Sequence, residues 1–334
     1  MNGWLIICLA LAGLLTVNLI ASLAAAALWF AFGQRARTWP APGRARLLFA
    51  IRLFPMLSAL TIALALFLPS YLAYEPRPAD EVISLKIAVM ATIAALGLAL
   101  TTWRVIVSRR ATRRLTAEWL GHAEKIAIDG LGVPAFRFAH PFPVLAVVGV
   151  FRPRLFIAES VLNNLDDSEL EAALKHEAAH LAAYDHFKLG MMRVCFDIFA
   201  MLPSSRTLAR AWAAEAETAA DDRATRGDKA GALNLAAALI KVARLTPEVK
   251  APVLPAGAAL LGDDRVGVER RVRRLIAMAE SEPNQNALTC VSAARRKWGA
   301  YLGGVFLAAG LLVSLPRLLL AVFILAERLF MFLR

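Results

Sequence analysis

Residues 168–185 read SELEAALKHEAAHLAAYD, and two histidines in that run, His176 and His180, stand four positions apart with Glu177 directly after the first. On a helix, residues i and i+4 lie one turn apart on one face, so both imidazoles can converge on a single ion. HExxH on a helix is the spacing of a hydrolytic zinc site: two histidine ligands, and a glutamate as general base toward a water. The stretch has its own start signal. Ser168 with Glu171 three residues on reads as a capping box, and Asp166, Asp167 and Glu169 favour the positive end of a helix dipole. Leu170, Ala173, Leu174, Ala178 and Leu181 give the helix a packing face.

Around this stretch lies an apolar chain. Of 334 residues, 59% are hydrophobic, and the mean hydropathy of +0.57 exceeds what a soluble globular protein carries. The excess points to lipid. Cys8, Cys195 and Cys290 form no CxxC pair, so neither a disulfide framework nor a cysteine zinc site is supported, and a metal must be held by histidine and carboxylate. The net charge of +12 falls in arginine blocks beside apolar segments. That placement is how membrane proteins fix their orientation, and no nucleic-acid binding is expected from it.

Three spans are expected before the zinc stretch, at about 4–32, 53–72 and 87–103. The first lacks basic residues ahead of it and reads as an uncleaved anchor. Between the first two, Gly33 to Arg52 carries five arginines and no acid, and Pro40, Pro42 and Gly43 are expected to break any helix there. That loop belongs in the cytoplasm, and Tyr74 to Lys86 should face outward. Arg104, Arg109, Arg110, Arg113 and Arg114 then return the chain inside, which puts the N-terminus outside and the domain over 107–297 in the cytoplasm of a bacterial-type inner membrane.

Within that domain, a helix from Leu115 to Gly130 is expected, then strands at Val133 to Phe138, Val144 to Val150 and Arg154 to Ala158. The Phe151-Arg152-Pro153 break suggests a hairpin. The strand before the metal helix can then serve either as scaffold or as an edge for an extended substrate. Phe187 to Leu202 carries three charges and reads as a buried or membrane-apposed helix rather than a span. A further helix over about Ser205 to Arg226 brings Glu215, Glu217, Asp221 and Asp222, any of which can complete a three-ligand zinc site; spacing alone does not choose. Asn234 to Leu245 is another helix, Ala251 to Gly262 a loop, and Asp263 to Ala279 a basic amphipathic helix with a solvated face packed by Val268, Val272 and Leu275. Arg295, Arg296 and Lys297 precede a fourth span, Trp298 to Leu315, and a short tail follows Pro316, with the last unit taken as 298–334 and the first as 1–106.

HEAAHLAAYD followed by ETAAD resembles the gluzincin pattern HExxHxxxxD with ExxxD, shared by two groups of integral-membrane peptidases. One is the BlaR/MecR-type family of beta-lactam sensor-transducers. The other holds the HtpX-like proteases and the related CAAX prenyl proteases. The likeness covers about Phe138 to Ile276 in motif order. Three spans, a cytoplasmic zinc domain and a fourth span is also the BlaR/MecR-type layout. HtpX-like chains usually place two spans between HExxH and the glutamate motif, and the prenyl protease branch commonly reads HExGH. Here Ala179 replaces that glycine and at most one short hydrophobic helix intervenes, so the first family is favoured.

The resemblance implies a mainly α membrane protein whose α+β gluzincin-type metallopeptidase domain lies between spans three and four. It makes Glu217 the third zinc ligand beside His176 and His180, Asp221 a carboxylate that orients a ligand histidine, and Asp185 the matching acidic position at the end of the metal helix. Glu177 is then the catalytic general base, with His140, Tyr184, His186 and Arg223 as open choices for stabilising an oxyanion. The implied partners are the lipid bilayer and a peptide or protein substrate, with a transcriptional repressor or the chain itself as candidates. No extracellular penicillin-binding domain is expected after the fourth span, which argues against direct beta-lactam sensing.

Overall fold

The structure is a computed structural model and describes residues 3–74, 84–128, 130–195, 203–246 and 265–280, with single positions 320, 321, 324 and 328. The described chain is mostly helical, with three helices long and apolar enough to cross a membrane and one small sheet. The expected fourth span at 298–315 and the loop at 251–262 lie outside the described residues, as does most of the outward loop after Tyr74 and of the tail after Pro316.

Helix α1 (Gly3–Ala36) contains the first expected span. The second corrects the reading of the arginine-rich stretch, because α2 (Ala41–Thr61) begins inside the supposed helix-breaking loop. Pro40 is the cap residue and Pro42 stands in the first turn, where a missing N–H leaves no helical bond unmade. Arg44 Nη1 donates to the carbonyls of Arg37 and Trp39 at 3.1 and 2.7 Å and ties the short turn shut. A π-helical stretch (Ile62–Phe67) then leads into α3 (Leu68–Tyr74).

Helix α4 (Leu85–Gly121) corrects the reading again. It runs past the expected end at residue 103 and absorbs the first part of the helix placed at Leu115 to Gly130. No glycine or proline between Trp103 and Trp119 stops it. At 37 residues it measures about 55 Å, longer than the roughly 30 Å of a bilayer core requires, and it crosses the expected domain boundary at 106/107. Along α1, α2 and α4 large apolar side chains such as Ile20, Phe30, Leu64 and Leu96 face outward, the reverse of a soluble protein and the arrangement lipid requires.

The end of α4 delivers the chain to a sheet of β1 (Ala123–Ile126), β2 (Ala135–Phe138), β3 (Leu145–Val148) and β4 (Arg154–Ala158) in the order β1-β2-β4-β3. β3 and β4 form the expected antiparallel hairpin, with Ala146 opposite Phe156. Its turn requires a glycine: Gly149 has φ +108°, and a Cβ there would lie 2.7 Å from the Arg152 carbonyl oxygen. β4 also pairs parallel with β2, so the strand directly before the metal helix is interior; the edge strands are β1 and β3, and β3 is buried. On one face Trp119 of α4 packs with Phe138 and Phe156 at centroid separations of 4.9 and 5.2 Å. By alternation the other face carries Leu145, Val147, Leu155 and Ile157 into the core shared with the helices that follow.

Those helices are α5 (Glu159–Asn164), α6 (Asp167–Ala183), α7 (Asp185–Val194), α8 (Pro203–Thr225), α9 (Lys229–Leu245) and α10 (Arg265–Glu280). The cap of α6 differs from the expected Ser168/Glu171 pair. Asp166 Oδ1 accepts from Glu169 N, and Glu169 Oε2 accepts from Asp166 N, both at 2.9 Å. The carboxylate also takes the Ser168 hydroxyl, and Lys241 of α9 holds Glu169 at 2.6 Å, so the box forms two residues earlier. Helix α7 occupies the start of the expected Phe187–Leu202 helix, and residues 196–202 lie outside the described residues.

The helices that carry the candidate metal site are seated directly on α2, one of the long apolar helices. Ala45, Leu48 and Leu53 of α2 share one apolar cluster with Met192 of α7 and with Trp212 and Ala216 of α8. Arg44 pairs with Glu215 of α8 at 2.7 Å beside it.

Candidate metal centre

The geometry of the site starts at Tyr184. This residue adopts a left-handed conformation (φ 57°, ψ 35°), unusual for a side chain with a Cβ, and stops α6 one residue after its last helical position. The chain turns back at once into α7. That turn brings Asp185 Oδ2 to 2.9 Å from His180 Nδ1, while Lys188 one turn further holds the other oxygen at 2.8 Å. Facing α6, helix α8 presents Glu217 and Asp221 four residues apart. Asp221 Oδ1 lies 3.0 Å from His176 Nδ1. Each imidazole therefore has a carboxylate at Nδ1, which fixes the ring and turns Nε2 inward.

The two Nε2 atoms are 3.2 Å apart. Glu217 closes the figure, with Oε2 at 3.4 Å from His176 Nε2 and Oε1 at 3.6 Å from His180 Nε2. Ligand atoms around a tetrahedral ion with bonds of about 2.0–2.1 Å are separated by about 3.3 Å, so this triangle has the size such an ion needs. His176, His180 and Glu217 form a group that can hold a metal ion.

The structure also separates the four acidic residues that spacing left equivalent. Glu215 turns away to Arg44 on α2, and Asp222 pairs with Arg274 on α10. Asp221 stays behind His176. Only Glu217 among the four reaches both Nε2 atoms.

One functional side chain was missed in the sequence: Arg271 of α10. It is 7% exposed, donates Nε to Asp221 Oδ2 at 2.9 Å and Nη2 to Oδ1 at 2.7 Å, and sets Nη1 2.8 Å from Glu217 Oε2. Reading α10 as a helix with a solvated basic face overlooked that Arg271 lies three residues from Val268 and four from Leu275, on the face that packs. An arginine on an apolar face, opposite an acidic helix, was the available signal.

Electrostatics follow from this packing. Burial alone would keep the imidazoles neutral, but Asp221 and Glu217 outweigh it at His176 and raise its pKa. At His180 burial is again overcome, by Glu217 and Asp185, which push it up to about 10. Burial would raise the Glu217 carboxyl, yet His180 and Arg271 hold it well below the usual carboxylate range; a third of its side chain still reaches solvent, which screens part of that effect. Glu177 differs from all of these. Buried on the third side of α6, it is pushed up by desolvation, only partly offset by His176 and His180. A base with a raised pKa is suited to neutral conditions. Because both histidines must lose protons to ligate, a divalent ion binding at pH 7 should expel about one or two protons, measurable as a buffer-dependent enthalpy in calorimetry. A buffer-independent enthalpy would contradict the arrangement.

Glu177 also meets the sheet. Val147 N of β3 donates to its Oε2 at 3.4 Å. Val144 O accepts from Ala158 N on β4, so by alternation the main-chain groups of Leu145 and Val147 turn away from β4, into the buried space where Glu177 lies.

Of the four residues considered for oxyanion stabilisation, three are placed elsewhere. His140 stacks on Trp119 and accepts the Phe142 N–H, Arg223 donates to the Ala179 carbonyl, and Tyr184 points into a separate cleft on the opposite face of α6. His186 remains close, its ring centroid 6.4 Å from that of His180. No protein-family model and no curated protein matches the chain.

Proposed function

We propose that the chain is an integral-membrane zinc metalloendopeptidase of gluzincin type that cleaves a regulatory protein, or itself, on the cytoplasmic side of the membrane. The observation that carries the reading is the convergence of His176 Nε2, His180 Nε2 and Glu217 on a triangle of tetrahedral size, with a buried carboxylate, Glu177, beside it. The HExxHxxxxD and ExxxD resemblance to BlaR/MecR-type transducers supports the same assignment.

Zinc at such a group supplies Lewis acidity toward a peptide carbonyl and a water. The residues of the chain do the rest. Asp221 and Asp185 orient the two imidazoles, and Glu217 completes the ligand set. Glu177 takes the proton from the attacking water at a carboxylate oxygen and returns it to the departing amine.

The orientation with the N-terminus outside, and a fourth span over 298–315, belong to the same proposal and rest on the arginine blocks. A repressor is a candidate substrate class because the resemblance to BlaR/MecR-type transducers implies one. Comparative proteomics of cells carrying the native chain or Glu177→Gln tests the function. Accumulation of one or a few uncleaved species in the variant is the expected result; identical proteomes and termini would sink it.

A further inference from the structure

Just past the third span, the β3–β4 turn and α7 form one apolar surface with no function assigned above. Phe151 at the tip of the turn is 76% exposed, and Val150, Phe187 and Val194 are 42%, 44% and 46% exposed among the described residues. Phe187, Gly190 and Val194 follow one another at i, i+3 and i+7, so they make a single stripe on α7. Val150 Cγ2 lies 3.7 Å from the space a side chain on Gly190 would enter, which joins the turn to that stripe.

Two contacts fix this surface to α4. The Arg109 guanidinium lies over the Phe151 ring, 5.9 Å from its centroid, and Arg193 of α7 donates to Ser108 Oγ at 3.4 Å. Trp103, Ile106 and Val107 of α4 are exposed too, so the lipid-facing side of the span continues toward the patch without a polar break in that row. Arg109 is two residues beyond Val107, the last of that row, about 3 Å along the helix. The polar zone of a bilayer is about 5–8 Å deep on each side. The surface thus stands at the depth where apolar side chains meet acyl boundary and arginines meet headgroups.

We propose that the Val150–Phe151 turn and the Phe187/Val194 stripe of α7 dock into the lipid–water boundary of the inner leaflet. Arg109 and Arg193 flank it as contacts for anionic headgroups. Val147, whose N–H meets Glu177, is three residues from Val150, at most about 10 Å of extended chain, so the candidate site is held just above the headgroups. Peptides within that distance of the membrane surface are then the ones presented to Glu177. The docking rests on the membrane-spanning reading of α1, α2 and α4, not on the proposed chemistry.

The test is depth-resolved spin labelling of the full-length chain, with Cys8, Cys195 and Cys290 replaced by alanine, in phosphatidylethanolamine–phosphatidylglycerol vesicles. Single labels at Phe151→Cys and Val194→Cys are compared with Ile93→Cys near the middle of the span expected at 87–103 and Lys175→Cys on the outer face of α6. The expected ratio of oxygen to nickel-chelate collision at positions 151 and 194 is several-fold above that at 175 and below that at 93. Ratios at 151 and 194 equal to 175, with 93 deep, would overturn the docking, as would spin–spin broadening at 151 that disappears on dilution with unlabelled protein, the sign of a second copy on the patch. A water-exposed 93 would instead remove the membrane-spanning reading itself.

Discussion

Replacing Glu177 by glutamine is expected to reduce turnover of any peptide the protein cuts by about 1,000-fold while leaving the metal content of the purified protein unchanged. The amide keeps the shape of the carboxylate and can still accept the Val147 N–H that lies 3.4 Å away. It cannot take a proton at neutral pH. Glu177 belongs to neither edge of the His176–His180–Glu217 triangle, so metal content should not follow activity down. Metal analysis and turnover on the same preparation check this. Loss of the metal together with activity would make Glu177 a structural residue, and unchanged turnover would remove it from the chemistry.

The second large effect is on stability. Arg271→Met should destabilise the metal-free protein by about 2–3 kcal/mol, because Asp221, whose side chain is 1% exposed, would lose two charge-assisted hydrogen bonds and keep only the His176 imidazole at 3.0 Å. The figure is assigned to the Asp221 pair alone, since Glu217 retains water at one third of its surface. With a divalent ion bound, the loss should shrink, as the ion's charge takes over part of what the guanidinium supplies. Chemical denaturation of the detergent-solubilised protein with and without chelator measures both numbers. A loss below about 1 kcal/mol in the metal-free protein would mean that Asp221 is protonated or solvated instead.

How far the sequence reaches is visible at these residues. His176, Glu177 and His180 are local: helical spacing alone places them together, and α6 forms where its capping carboxylates and apolar face require. Glu217 was one of four candidates by spacing and was singled out by resemblance. The structure separates the four by what each faces, which depends on α2 and α10 and so on contacts far apart in the chain. Arg271 is 95 residues from His176 and carries no motif of its own. The boundaries failed for a different reason. A proline in the first turn of α2 and the absence of any stop in α4 allowed both helices to run on, and local breaker rules overestimated the loops. Whether the strand before the metal helix is scaffold or edge stayed open in the sequence because sheet order is tertiary; β4 is the last strand in the chain, yet lies between β2 and β3.

The seating of α8 on α2 has one more consequence, for what counts as the folding unit. Cutting the chain at residue 107 would leave Trp212, Ala216 and Met192 facing solvent and Glu215 without Arg44. The helix with the third ligand would lose one of its walls. A fragment over 107–297 is therefore an incomplete molecule with an adhesive scar that begins one residue from Glu217, and the autonomous fold includes at least the first turns of α2.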